Sequence, residues 1–317
     1  AVRESIRGRF DQNNLVKLGG VSDFVDRILD SENIFITACG TSWHAAQIGS
    51  YMLESILRKP IKVEYASEFR YRNKTINQKS LVIAISQSGE TADTLAALNM
   101  EKERRKGTNN PAFFYHQLGI TNRPDSSLSR EVSNIMDIGA GLEIGVAATK
   151  TFLGQMLSFY GLTLLFASHT KIRTSDEISN LVNDLRLIPN QLRALIKKHD
   201  NLSEDMAHKF NQTQDVIFLG RGINYPIALE GALKLKEISY IHAQGYPAGE
   251  LKHGPIALLD QNVPVISIAV PGLVFEKVLS NSQEAKARDA RLIGIAPNGT
   301  ESEIFDELFP IPHVSEW

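Results

Sequence analysis

The sequence predicts an α/β fold made of two doubly wound parallel sheets flanked by helices. Three observations carry that expectation. Short apolar runs, most ending in small or hydroxyl-bearing residues, alternate with segments of helical periodicity. Runs such as Leu81 to Ile85 are continuous rather than alternating, the pattern of strands buried on both faces. The strand–turn–helix order then starts again. DVIFLGRGINYPIALEGAL matches NIFITACGTSWHAAQIGSYML, VPVISIAVPG matches SLVIAISQSG, and RLIGIAPNG matches QLGITNRPD, at offsets of about 180 residues (36 to 217, 119 to 294). An internal repeat of this kind decides the architecture.

The elements follow in order. Residues 1–32 form a helical lead-in, with Leu15, Leu18, Phe24, Ile28 and Leu29 spaced for one apolar face. Residues 33–170 form a first subdomain, with strands at Asn33 to Ala38, Ile61 to Tyr65, Leu81 to Ile85, Leu118 to Thr121 and Ile135 to Ile138. Its helices run from about Trp43 to Leu57, through Leu98, and from about Thr149 to Phe166. Met100 to His116 reads as a helix end followed by an exposed excursion. Residues 171–210 are connecting helices, and 211–317 form the second subdomain. The repeat predicts one more helix after the last strand, and the sequence stops at Trp317 where it would begin. We therefore expect a C-terminal segment to be missing.

A chain of 317 residues corresponds to about two domains. It is 43% hydrophobic and 22% charged, ordinary for a globular protein. The net charge of −2 gives no electrostatic footprint for nucleic acid or an anionic membrane. The single cysteine, Cys39, excludes an internal disulfide and suits a reducing cytoplasm. No uninterrupted apolar run reaches the roughly 18 residues that span a bilayer. Neither nucleic acid nor a membrane is expected as a partner. AVRESIRGRF has no apolar signal core and no initiator Met, so a piece of a longer chain is expected.

Residues able to carry chemistry gather at strand–helix junctions. Ser86-Gln87-Ser88-Gly89-Glu90-Thr91 follows a buried strand and opens a helix. Free N–H groups, the helix dipole and hydroxyl donors make such a turn an anion site, and hydroxyl capping of the helix is the alternative reading. Cys39 to Ser42 is a second such junction; Cys39 reads as a small buried residue and His44 as a packing or surface residue. Gly220-Arg221-Gly222 is a weak dinucleotide signal, because the third glycine of that motif is Tyr225 here. No His, Cys or Asp spacing suggests a metal, and no cofactor is expected.

The helix expected over Glu230 to Ile241 is unusual. Glu230, Lys234 and Glu237 fall on one arc flanked by Leu229, Leu233 and Ile238, with Ile241 inside it. Glu237 against an apolar wall could act as a general base, with Lys234 steadying an enolate oxygen. An i,i+3 and i,i+4 ion-pair ladder explains the same residues. His253, in the loop GELKHGP, is an acid–base candidate, and His242 reads as a structural helix residue.

Taken together, CGTS at 39–42, SQSGETADT at 86–94, EIGVAATKTF at 143–152, ALEGALKLKEISYIHA at 228–243 and GELKHGP at 249–255 resemble one family in order. It is the isomerase region of the glucosamine-6-phosphate synthases, the isomerising glutamine–fructose-6-phosphate transaminases. The SQSGET loop alone marks the wider sugar isomerase (SIS) family. The resemblance implies two SIS subdomains with sheets of flavodoxin-like order, and a cytoplasmic homodimer whose sugar site draws on both subunits. Ser86, Gln87, Ser88 and Thr91 would hold the 6-phosphate, with Cys39, Gly40, Thr41 and Ser42 lining the same site. Val146 and Ala148 would contact the sugar, Glu237 would move a proton between C1 and C2, and Lys234 would assist at the oxygen. His253 of a partner subunit would open the ring. The implied partners are fructose 6-phosphate, glucosamine 6-phosphate and ammonia from a glutaminase domain outside this chain.

The sequence departs from the family at Ala148, where members often carry Ser, and it lacks the family's C-terminal tail with its site lysine. Two alternatives stand beside this reading. One is a stand-alone SIS isomerase or deaminase using free ammonia. The other is a sugar-phosphate sensor, which would add a DNA-binding segment and would need neither Lys234 and Glu237 nor His253.

Overall fold

The computed structural model describes residues 1–72, 79–106, 117–300 and 303–313. The chain divides into two units, Ala1–Pro189 and Asn190–Trp317. Each is built on a five-stranded parallel sheet, so the doubly wound fold expected from the repeat is found twice.

The first unit opens with α1 (Val2–Ile6), a bridge between Phe10 and Val16, a 3-10 helix over Gly19–Phe24, and α2 (Val25–Asp30). The lead-in is thus only partly helical. Asp11 Oδ1 accepts the N–H groups of Asn13 and Leu15 at 2.8 and 2.9 Å, and Asn14 takes a left-handed φ of 60°. That Asx turn outcompetes helix. Leu15 is consequently exposed, while Leu18, Phe24 and Ile28 are buried.

Next come β1 (Asn33–Ala38), α3 (Gly40–Leu57), β2 (Ile61–Tyr65), α4 (Ala66–Phe69), β3 (Ser80–Ser86), α5 (Ala92–Lys106), β4 (Gln117–Thr121), α6 (Ser127–Glu131), β5 (Asn134–Asp137) and α7 (Lys150–Thr170). The strand order is β2-β1-β3-β4-β5. Alternate strand residues feed two cores. Ile34, Ile36 and Ile83 join Phe159 and Leu162 of α7; Phe35, Val82 and Ala84 join Phe69, Ala97 and Leu128 of α4 to α6. Every residue of the central strand β3 is buried. A Cβ on Gly49 of α3 would lie 2.3 Å from the Phe159 ring, so only glycine lets α3 and α7 approach this closely. Among the described residues α7 alone is long and apolar enough to cross a membrane, and 72% of its most apolar stretch is buried as core. The helix that runs on through Leu98 ends at Lys106, within the stretch read as a helix end; Glu101 is buried there and Lys102 pairs with Glu131. The rest of the expected excursion, residues 107–116, lies outside the described residues.

The long helix α8 (Ser175–Lys209) starts in the first unit, passes Pro189 and ends in the second. A capping box starts it: the Thr174 N–H donates to Glu177 at 2.8 Å and the Glu177 N–H to Thr174 Oγ1 at 3.2 Å. The second unit then runs β6 (Asp215–Gly220), α9 (Asn224–Ser239), β7 (His242–Pro247), 3-10 helices over Ala248–His253 and Pro255–Leu258, β8 (Val265–Ile268), α10 (Phe275–Lys286), β9 (Leu292–Pro297) and β10 (Glu307–Ile311). Its order, β10-β9-β8-β6-β7, is the first sheet's order read from the other edge.

One expectation fails here. The helix predicted to Ile241 ends at Ser239, with Tyr240 at a left-handed φ of 63°. His242 is not helical; it opens β7, with Nδ1 2.7 Å from Asp215 Oδ1 of β6. This edge strand (HAQGYP) begins with alternating exposed and buried residues, so it offers no apolar run to read.

Candidate active site

In the order β2-β1-β3-β4-β5, β1 and β3 are neighbours whose connections leave in opposite directions. Ligands bind in α/β sheets at such a switch point, beyond the carboxyl ends of the strands. Both hydroxyl-bearing junctions stand there.

After β3, the buried Ser86 hydroxyl lies 2.8 Å from Thr91 Oγ1 and accepts the Gly89 N–H at 3.0 Å. Ser88 Oγ accepts the Glu90 N–H at 3.1 Å, and the Gln87 carbonyl accepts the Asn122 N–H at 3.1 Å. The loop is therefore folded on its own hydroxyls. Gly89 has a φ of +69°, and a Cβ there would fall 1.9 Å from Ser126 Oγ. Glu90 caps α6 from the loop's far side. The Ser127 N–H and side chain hold its carboxyl below the ordinary carboxylate value. A cavity of about 500 Å3 opens beside the loop, bordered by Gln87, Ser88, Asn122, Ser126, Gly141 and Glu143.

After β1, Cys39 is extended, Gly40 turns at φ +53° and α3 begins. The Cys39 thiol is free and packs against the core that contains Phe35 and Ala66. Thr41 is half-buried. The buried Ser42 hydroxyl accepts Gln155 Nε2 at 2.9 Å, which ties this junction to α7. His44 is buried, its ring against Trp43.

Val146 and Ala148 lie on the segment from Gly139 to Thr149, between β5 and α7. Val146 is 94% exposed and Ala148 half-buried. Three residues that the sequence reading passed over shape this segment. Arg9 donates to Ser158 Oγ and the Ile138 carbonyl, both at 3.1 Å, and to the Asp137 carbonyl. Burial pushes its guanidinium down to about 10, partly offset by Asp137. Asn122 and Glu143 anchor the segment itself. Burial works against the Glu143 carboxylate, but hydrogen bonds from Thr151, Thr149 and Lys150 outweigh it and hold its pKa below the ordinary value. The available signal was positional, since Asn122 closes β4 and Glu143 precedes a helix start.

In the second unit, Lys234 Nζ lies 3.4 Å from Glu230 and 2.6 Å from Glu237. The Glu230 side chain is 6% exposed, Lys234 17% and Glu237 30%. The ion-pair ladder therefore forms, buried at one end and open at the other. The apolar flank is shorter than expected: Ile238 is exposed and Ile241 lies beyond the helix. His253 is exposed at the end of its 3-10 helix, before Gly254 at φ +143°. The structure thus joins Ser86 with Thr91, and Lys234 with Glu237, while His253 stands on a separate segment. Arg221 of the β6–α9 turn donates to Asn281 at 3.2 Å. Among the described residues no group of three or more His, Cys, Asp or Glu could hold a metal ion.

Comparison with known proteins agrees with this architecture. The SIS domain family matches residues 27–165 and 209–303. A glutamine–fructose-6-phosphate aminotransferase (isomerizing) from Nostoc sp. is 57% identical over 90% of this chain and 46% of its own length. The corresponding protein of Gloeobacter violaceus is 51% identical over 99% of this chain and 50% of its own length. The chain thus spans about half the length of these curated relatives. The C-terminal domain of glucosamine-fructose-6-phosphate aminotransferase from Francisella tularensis superposes with a TM-score of 0.90 at 36% identity, covering 99% of this chain and 86% of that one. With all of the first sheet and β6 to β9 of the second inside the matched regions, the chain belongs to the SIS domain family.

Proposed function

We propose that this chain forms glucosamine 6-phosphate from fructose 6-phosphate and ammonia, as the isomerising half of a glutamine-dependent aminotransferase. Ammonia adds at the C2 ketone, a proton is taken up and water leaves, giving a protonated imine. Glu237 takes a proton from C1, which yields an enolamine, and returns one to C2. Loss of the proton from the C1 hydroxyl then gives the aldose. One carboxylate can serve both proton steps, since it is a base before the first and an acid before the second. Lys234, 2.6 Å from Glu237, steadies charge at the sugar oxygen. Ser86, Gln87, Ser88 and Thr91 hold the phosphate with neutral donors at the start of α5. Cys39 to Ser42, Val146 and Ala148 line the sugar. The enzyme works in the cytoplasm as a homodimer, with His253 supplied across the subunit boundary to open the ring.

What supports this reading above all is the folded Ser86–Thr91 hydroxyl loop at the switch point, in a chain more than half identical to aminotransferases of this name. The test is Glu237→Gln, followed by uptake of solvent deuterium into the sugar phosphate by NMR. Fructose 6-phosphate should still bind, and exchange should fall by about 10²–10⁴-fold. Exchange at the wild-type rate removes Glu237 from the mechanism.

A further inference from the structure

Asn122 and Glu143 have no role in the reading above, yet they fasten two of its segments together. The Asn122 N–H donates to the Gln87 carbonyl of the phosphate loop at 3.1 Å. Its side chain accepts the Ala140 N–H at 2.9 Å and donates to the Gly141 carbonyl at 2.7 Å. One residue therefore joins the loop after β3 to the start of the Gly139–Thr149 segment.

Glu143 closes the other end. Its Oε1 accepts the N–H groups of Thr149 and Lys150 at 2.9 and 2.7 Å, and its Oε2 accepts the Thr151 hydroxyl. Ile144 to Ala148 are thus pinned between two fixed points, although Ile144 is 86% and Val146 94% exposed. A free loop would lose entropy each time it closed on a ligand, and a fastened loop avoids that loss. The side-chain chemistry is specific. Asn122 serves a donor and an acceptor at once, which an amide can do and a carboxylate cannot. Glu143 faces donors only, which suits a carboxylate.

We propose that Asn122 and Glu143 are positioning residues that preset Val146 and Ala148 against the phosphate loop, and so set affinity for the sugar part of the substrate. The proposal rests on the sugar-phosphate reading given above. The variants Asn122→Ala and Glu143→Gln, which add no negative charge beside the phosphate loop, test it. Each is titrated calorimetrically with fructose 6-phosphate and with inorganic phosphate, and circular dichroism checks folding. We expect fructose 6-phosphate to bind roughly tenfold more weakly to each variant, the scale of one or two lost hydrogen bonds. Inorganic phosphate should bind as in the wild type. In turnover the effect should fall on KM and leave kcat nearly unchanged. Equal weakening of both ligands, or unchanged fructose 6-phosphate binding in a folded variant, overturns the proposal. If Asn122→Ala does not fold, Glu143→Gln alone decides. Wild-type protein that binds neither ligand overturns the sugar-phosphate reading itself, a result distinct from the other two.

Discussion

Replacing Lys234 by Met removes one ammonium from two carboxylates and keeps most of the side chain's volume. The two contacts differ in weight. Glu237 is 30% exposed, and a partly open pair of this kind contributes about 0.5 kcal/mol. Glu230 is 6% exposed and has its cation 3.4 Å away. Taking the lysine from a buried carboxylate costs about 3 kcal/mol, because the charge cannot regain its water. Lys234→Met should therefore destabilise the second unit by about 3 kcal/mol, or roughly 10 °C in Tm for a domain of this size. Adding Glu230→Gln should restore about 2 kcal/mol, since the double variant no longer buries a carboxylate that has lost its lysine. Urea unfolding followed by far-ultraviolet circular dichroism measures both. A single variant within 0.5 kcal/mol of wild type, or a double variant that recovers nothing, would show that Lys234 does not hold Glu230 in the fold.

Two further outcomes follow from the geometry. Gly89→Ala combines a left-handed backbone with a Cβ 1.9 Å from Ser126 Oγ, so it should cost about 2 kcal/mol or more and abolish sugar-phosphate binding; normal binding in calorimetry would show that the loop is not the anion site. Burial opposes ionisation of Glu307, but hydrogen bonds from Arg291 and Lys209 outweigh it and lower its pKa below 4.5. A carboxylate with a lowered folded pKa adds stability above its unfolded value and loses it as pH falls through the folded one. Acid titration of Tm should therefore steepen below about pH 4.5 in the wild type and less so in Glu307→Gln; superimposable curves would refute the pairing.

The sequence shows most clearly what hydrophobic burial dictates. β1, β3, β4, β6, β8 and β9 are apolar runs because helices cover both faces of the sheets, and the repeat made the two subdomains legible, while their strand order came from the family resemblance. β7 was missed because its edge position leaves one face wet, so His242 and Gln244 stand where an apolar run was sought. The end of α9 was missed because Tyr240, not glycine, takes the left-handed cap. The same division runs through the candidate site. The hydroxyls of the Ser86–Thr91 loop fall within six residues and could be read. Asn122 and Glu143 act through backbone groups that only the folded chain brings near, so in the sequence they pass for a turn former and an acidic loop residue.

The two sheets also carry different junctions at equivalent places. Where the first has Ser-Gln-Ser-Gly-Glu-Thr after β3, the second has Ala269-Val270-Pro271-Gly272-Leu273 after β8, with Leu273 95% exposed. A duplicated scaffold relieves one copy of a duty that the other still performs. If the first junction holds the phosphate as proposed, the second need not present hydroxyls, and its sequence is free to drift so long as β8 and α10 stay joined. Mutational constraint in this chain is thus expected to be unequal between copies of the same fold: strict at the first turn and loose at its twin.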